Sequence, residues 1–319
     1  MAEGKRFKSQ LLLEYETAYK TAPSTASAVK LPFNSCDLRP NRPIQQPGTI
    51  RSNRNPTIPF RGNIDVSGNV VVPLDLVCSG YWLKGLLGNP TTTGSEAPYT
   101  HVFKVGDTVP SMILDKGFGD ISLYYKYAGI KINTMAVTFG GDGELTATFG
   151  LMGASETKGA SAYDASPSDL TAIATRFENF EAAITEGGSS IATLTQVSLN
   201  VSNNLDGSIY CLGDNGARSY LPEGQIAVSG SITGIFIDDS LLLKGRNFTE
   251  SALVITLTDS TYSLAFDIGE LVYEHVSPGI PGPGAETVMQ TLNFQGYYGN
   301  DADASAIKIT LVNATASYT

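Results

Sequence analysis

Apolar and polar residues alternate with a period of two through several stretches of the chain. The clearest are Ile64-Asp65-Val66-Ser67-Gly68-Asn69-Val70-Val71-Val72, Ile130-Lys131-Ile132-Asn133, Met135-Ala136-Val137-Thr138-Phe139, Leu253-Val254-Ile255-Thr256-Leu257-Thr258 and Ala306-Ile307-Lys308-Ile309-Thr310-Leu311-Val312. Successive side chains of an extended backbone point to opposite faces, so this period predicts half-buried antiparallel strands. β-Branched residues fill the runs, and Gly, Asn and Asp close them. Asp142-Gly143 between two runs predicts a hairpin, because that dipeptide accepts the positive φ a tight turn needs. Helical spacing is scarce. Residues 78–87 read as a short helix despite two Gly. Leu170, Ile173, Ala174, Phe177 and Ile184 after Ser166-Pro167 point to a helix over 168–186, although 177–184 before Gly187-Gly188 reads equally as a hairpin arm.

The same patterns recur. Arg61-Gly-Asn-Ile64-Asp-Val66-Ser67-Gly68 returns as Glu223-Gly-Gln-Ile226-Ala-Val228-Ser229-Gly230. Residues 29–35 resemble 197–203, Arg51-Ser52 resembles Arg218-Ser219, Leu83-Lys84-Gly85 resembles Leu243-Lys244-Gly245, and 145–153 resemble 290–298. Five matches in collinear order predict two copies of one unit. The expected organisation is an N-terminal arm (1–28), a first domain (29–154), a Ser/Ala/Gly-rich linker (155–190) and a second domain (191–319). The arm and a long Pro/Arg-rich loop, 38–57, are expected to order only on assembly, since both lack sustained apolar periodicity.

Composition narrows the function classes. Only 16% of the 319 residues are charged, against 42% hydrophobic, with 33 Gly and 15 Tyr, which fits a turn-rich β protein with ample core. No apolar run has the length of a membrane span, and no secretory signal is read at the N-terminus, so synthesis in a cytoplasm is expected. Cys36, Cys78 and Cys211 form no metal or disulfide pattern and are read as small apolar residues. Charge is split: residues 1–61 hold ten Lys/Arg and four acids, a net +6, and the rest carries −16. An acidic body with a basic arm repels duplex DNA over most of its surface but suits head-to-tail self-association.

Reactive chemistry is thin. His101 and His275 stand alone in strand-like runs, with no zinc spacing, nucleophile elbow or P-loop nearby. Asp142/Glu144 and Asp238-Asp239 could serve a glycosidase or bind Ca²⁺, but read better as turn acids. No enzyme, cofactor or metal is therefore predicted. A repeated β protein with long loops and no reactive cluster fits an assembly unit whose sheet edges are covered by its neighbours.

Further residues carry a family resemblance. They are Gly4-Lys5-Arg6-Phe7-Lys8-Ser9-Gln10-Leu11-Leu12, Tyr15-Glu16-Thr17, Leu31-Pro-Phe-Asn34-Ser, Asn53-Arg-Asn-Pro56, Phe60-Arg-Gly62-Asn-Ile-Asp65-Val-Ser-Gly68, Gly80-Tyr-Trp-Leu83 and Tyr99-Thr-His-Val-Phe-Lys104-Val-Gly-Asp107. In the second half they are Asn203-Asn204-Leu205, Arg218-Ser-Tyr-Leu-Pro222-Glu-Gly224 and Gly282-Pro-Gly284. With them the chain resembles the tail tube (major tail) proteins of long-tailed bacteriophages. The resemblance implies a mainly β fold, here two tandem β-sandwich domains each flanked by a short helix and forming part of a ring-shaped β-barrel. It implies a structural protein of the virion tail that polymerises into stacked rings, through which genome DNA passes during ejection without specific binding. Its partners would be further copies of itself, in trimeric pseudo-hexameric or else hexameric rings, and the tape-measure, terminator and tip proteins. Loop 38–57 is the candidate inter-ring arm, with Arg39, Arg42, Arg51 and Arg54 as contacts. Asp142, Glu144, Asp206 and Asp238 are the candidate lumen acids, keeping phosphates from sticking. The competing readings are a carbohydrate- or receptor-binding β-sandwich of the tail, with Tyr124-Tyr125 and Tyr297-Tyr298 as weak aromatic candidates, and a glycoside hydrolase.

Overall fold

The computed structural model describes residues 3–172, 176–284 and 287–318. Its main elements are β1 (Ser9–Tyr15), β2 (Ser35–Cys36), β3 (Asp65–Pro73), α1 (Ser79–Leu87), β4 (Tyr99–Lys104), β5 (Met112–Phe118), β6 (Leu123–Phe139), β7 (Thr146–Gly153) and β8 (Ser155–Gly159). The second half contributes β9 (Ala182–Glu186), β10 (Leu194–Ser202), β11 (Ala227–Ile235), α2 (Ser240–Asn247), β12 (Ser251–Asp259), β13 (Tyr262–Tyr273), β14 (Met289–Tyr297) and β15 (Lys308–Asn313). The fold is mainly β, as the alternation predicts.

One pairing order serves both halves. In the first, antiparallel neighbours run β1, β5, β6, β7, β3, β2, and Arg39–Asn41 continues β2 along β3. In the second they run β9, β12, β13, β14, β11, β10. β8 lies on the first part of β6 as β15 lies on the first part of β13. β6 and β13 are long because each serves two layers. Their first parts belong to an outer sheet and their last parts to a central sheet. Gly153 of β7 faces Val66, and Gly296 of β14 faces Val228. At both positions a Cβ would collide with an isoleucine, Ile130 or Ile268, as well as with the facing valine, so the layers close over bare backbone.

The halves are sewn together twice. Thr134–Phe139 of β6 pairs with Val197–Ser202 of β10, making one central sheet. β4, which has no counterpart among the described residues of the second half, pairs with β15. The apolar faces form one main core, in which Trp82 stacks on Phe149 at 5.3 Å and Phe139 meets Phe266 edge-on at 5.3 Å across the junction. Burying such side chains contributes about 1.5–3 kcal/mol each. The C-terminal tail then folds back, so that Tyr318 lies over Gly80 and packs edge-on against Tyr81 and His101.

The hairpin at Asp142-Gly143 and the helix within 78–87 form as read. Several expectations change. No helix spans the described part of 168–186. Ser168–Asp169 pairs in parallel with Val29–Lys30, a single 3₁₀ turn covers Asn179–Glu181, and β9 follows, so the hairpin-arm alternative holds. Ile173 and Ala174 lie outside the described residues. The stretch expected to be a linker, 155–190, thus carries β8 and β9 of the outer sheets. Within the arm 1–28, residues 9–15 are not loose. Leu11, Leu12 and Leu13 are all buried, because β1 is held between β5 and Val29–Lys30 and covered on both faces. The match of 29–35 to 197–203 also shifts. Ser35 faces Val71, three residues after Gly68, as Gln196 faces Thr233, three after Gly230, so 35–41 occupies the place of 196–202. Cys78 is buried and Cys36 half-buried, but Cys211 is exposed.

Candidate functional site

The outer face of the central sheet is dominated by hydroxyl and amide side chains. Its strands bury every second residue and leave the others facing out. These are Asp65, Ser67 and Asn69 on β3, Thr146, Thr148 and Met152 on β7, and Ala136 and Thr138 on β6. Across the junction come Ser198, Asn200 and Ser202 on β10, Ser229, Ser231 and Thr233 on β11, and Thr291, Asn293 and Gln295 on β14. Neighbouring hydroxyls bond to one another along the pleat. Ser198 Oγ lies 2.8 Å from Ser231 Oγ, and Thr233 Oγ1 lies 2.9 Å from Thr291 Oγ1. Thr195 Oγ1 donates to the Thr233 carbonyl at 3.1 Å.

Two cations at the margin of this face are answered, whereas Arg39, across from Ser67, is exposed and has no ion pair among the described residues. Arg218 is 3% exposed, pairs with Asp65 and donates to the carbonyls of Gly207 and, at 2.7 Å, Gly153. Lys131 meets Glu223 at 2.6 Å. High affinity for phosphate backbones comes from unpaired Lys and Arg that displace counterions. The hydroxyls and amides of this face supply none of that term, although they stay wetted. These residues were missed as a site, yet their signal stands in the sequence as Ser-x-Asn-x-Ser at 198–202, Ser-x-Ser-x-Thr at 229–233 and Thr-x-Asn-x-Gln at 291–295.

The four acids read from the sequence lie off this face, in the loops at its ends. Asp142 and Glu144 are in the β6–β7 turn, where Glu144 accepts from Asn34 and from Arg176, both at 2.6 Å. Asp238 follows β11 at the same end, and Asp206 follows β10 at the opposite end. The hydroxyl and backbone N–H of Ser208 hold the Asp206 carboxyl below the usual range, and those of Ser240 do the same for Asp238, so both stay charged. The structure brings Asp142 and Glu144 together and leaves the other two apart.

The four arginines also divide. Arg39 sits in the short strand facing Ser67, and Arg42 donates to the Gly62 carbonyl at 2.9 Å. Arg51 folds onto the Pro56 carbonyl at 2.9 Å, and Arg54 is exposed. Ile44–Gln45 pairs with Phe60–Arg61 to close this loop into a projecting hairpin, which holds Ile44, Ile50, Ile58 and Phe60 in solvent. His101 is a satisfied core residue, with Thr92 Oγ1 and the Thr315 carbonyl each 2.8 Å from a ring nitrogen. His275 is exposed. No helix among the described residues is long and apolar enough to cross a membrane.

A family model described as "Phage tail tube protein" matches residues 7–296, nearly the whole chain. No curated protein matches it.

Proposed function

The chain belongs to the phage tail tube protein family and is a structural protein of the virion tail; from this premise we propose that three copies close into a ring of six related units, that rings stack into a tube, and that the hydroxyl face lines its bore. The observation that carries the reading is the shared pairing order, together with the edges it leaves open. β10 of the second unit is already covered by the end of β6. Its counterpart, 35–41, pairs only with β3 among the described strands, and Val272 and Tyr273 at the end of β13 pair only with β14. A chain with one open edge at each end of its central sheet is a link that can close head to tail, and closure removes both edges. Each half of the chain then counts as one tube domain, with boundaries moved so that β1 to β8 form the first and β9 to β15 the second.

In this ring DNA slides along neutral hydroxyls, while Asp142, Glu144 and Asp238 at one rim and Asp206 at the other repel its phosphates. The projecting 38–57 loop, with its exposed isoleucines and Arg51 and Arg54, reaches the next ring, where burial of those side chains favours stacking. Electron microscopy of the purified protein tests the reading. Tubes with threefold-symmetric rings are the expected outcome. Discrete particles with affinity for sugars would favour the receptor-binding alternative, and a net-positive bore in an assembled ring would refute the account of DNA passage.

A further inference from the structure

A pocket of about 270 Å³ opens on the outer sheet of the first half, on the face turned away from the core. Strand register builds its floor. Asp115 of β5 stands opposite Lys126 of β6, and Lys126 opposite Thr157 of β8, so the three side chains share one face. Leu114 and Tyr127, one step along, point the other way into the core. The chain after β8 folds back over this face, and the Tyr163 N–H donates to Asp115 Oδ2 at 2.9 Å. Tyr124, Ser161 and Tyr163 also line the pocket. The Tyr124 ring lies against Gly117, where a Cβ would collide with it.

Folding alone does not account for this floor. Asp115 is 1% exposed, yet its Oδ1 takes no hydrogen bond among the described residues. Buried carboxylate oxygens are normally bonded, because a bare one costs stability. The cation across the strand pair does not supply the bond. Lys126 makes no ion pair among the described residues, and its Nζ sits 5.4 Å over the Tyr163 ring. A carboxylate that lacks a donor and an ammonium that lacks an acceptor thus border one space.

The group that answers both must donate and accept at once. An amine would satisfy Asp115 but not Lys126, and a simple anion Lys126 but not Asp115. A hydroxyl does both, and neighbouring hydroxyls on a ring do so in pairs. Thr157 and Ser161 add hydroxyls of their own, and the rings of Tyr124 and Tyr163 offer apolar faces to C–H groups. The volume falls short of the range for drug-sized ligands and suits a single small ring. We infer that this pocket binds a pyranose sugar, with a ring hydroxyl bridging Asp115 Oδ1 and Lys126 Nζ and the C–H face of the ring against Tyr163. The site goes beyond the tube reading and does not depend on it, since every lining residue comes from one chain. In the proposed tube the outer sheet lies across the core from the bore, so the pocket faces outward.

Saturation-transfer NMR on the purified full chain tests the site with D-glucose, D-galactose and D-mannose. Each is offered at about 10 mM, because ligands of this size and polarity bind with Kd on the order of millimolar. Transfer to the ring protons of at least one hexose is the expected result, and transfer to none of them overturns the inference. Asp115→Asn keeps an acceptor for the Tyr163 N–H but turns an amide donor toward the sugar, so it should weaken binding about tenfold or more. Tyr163→Leu, which removes the aromatic platform, should weaken it as well. Binding that is unchanged in both variants puts the sugar elsewhere and overturns the assignment. If Asp115→Asn does not fold, Lys126→Met on a half-buried side chain carries the same test. A methyl glycoside that binds as well as its parent hexose assigns the site to the end of a glycan chain, and loss on methylation assigns it to the free sugar. Tubes without a sugar signal sink this inference alone and leave the ring reading standing.

Discussion

Lys84 on α1 and Lys244 on α2 stand at the same place in the two halves and are answered by different chemistry. Each lies in a Leu-Lys-Gly run, and each points at the last residue of the first strand of its outer sheet. That residue is Tyr15 in the first half, facing Met112, and Glu186 in the second, facing Leu253. Lys84 Nζ rides 4.1 Å over the Tyr15 ring and donates to the Tyr318 carbonyl at 2.8 Å. Lys244 Nζ is held by both oxygens of Glu186, at 2.7 and 2.6 Å, and by Ser251 Oγ at 3.0 Å. Helix-on-sheet packing sets the position of the ammonium, and local sequence decides its partner. The second half supplies its own counter-charge. The first half takes its acceptor from the C-terminal tail, which belongs to the other half, so the dependence runs one way. The helices themselves agree: α1 is almost wholly buried under the tail and β4, whereas α2 buries only Gly245.

The sharpest way to break this comparison is to remove the tail's anchor. Tyr318 is 4% exposed and fills the space that the missing Cβ of Gly80 leaves open. Tyr318→Ala should cost about 3–5 kcal/mol, the range for a buried aromatic replaced by alanine. It would be read as a lower urea midpoint at unchanged m. A loss under about 1 kcal/mol would mean that the first half does not depend on the tail. The next effect is at the other lysine. Glu186→Gln strands a partly buried ammonium and should cost about 3 kcal/mol. Adding Lys244→Met should restore most of it, because the uncompensated charge goes with it. A double variant no better than the single one would show that the pair acts by packing rather than by charge.

What could be read in advance follows from how local each feature is. β3, β6 and β12 declared themselves by alternation, and the Asp142-Gly143 turn by its dipeptide, because both signals lie within a few residues. Leu11 to Leu13 did not, since a strand covered on both faces loses its alternation. Leu170 and Phe177 mimicked helical spacing while serving different contacts, one beside Lys30 and the other bonded through its N–H to the Leu74 carbonyl. The β6–β10 and β4–β15 seams join residues far apart in the chain, and no short pattern encodes such a register. The repeated Gly68 and Gly230 were legible and carried the tandem reading, whereas the 29–35 match was displaced to 35–41 by the extra pairing of Val29–Lys30 with β1. The hydroxyl face went unread because charged residues drew the functional reading toward the loops.

The smallest predicted effect is the most specific to the comparison. Burial lowers the pKa of Lys84, and no carboxylate offsets it. Between that lowered value and the value of about 10.4 for an unfolded lysine, the unfolded chain binds more protons than the native one, so this group adds stability as pH rises through the window. Below the window both states are charged and above it both are neutral, and the contribution is flat. Lys84→Met should therefore lie within about 1 kcal/mol of wild type at neutral pH, where removing the charge relieves its desolvation but costs the bond to the Tyr318 carbonyl. The wild type should then gain on the variant as pH rises toward 10.4, the tyrosine titrations being common to both proteins. Denaturant midpoints for the pair at several pH values measure the difference directly. A difference that is flat or falls with pH would mean that the ammonium over Tyr15 is as well stabilised as one held by a carboxylate, and the two halves would then differ in residues but not in energetics.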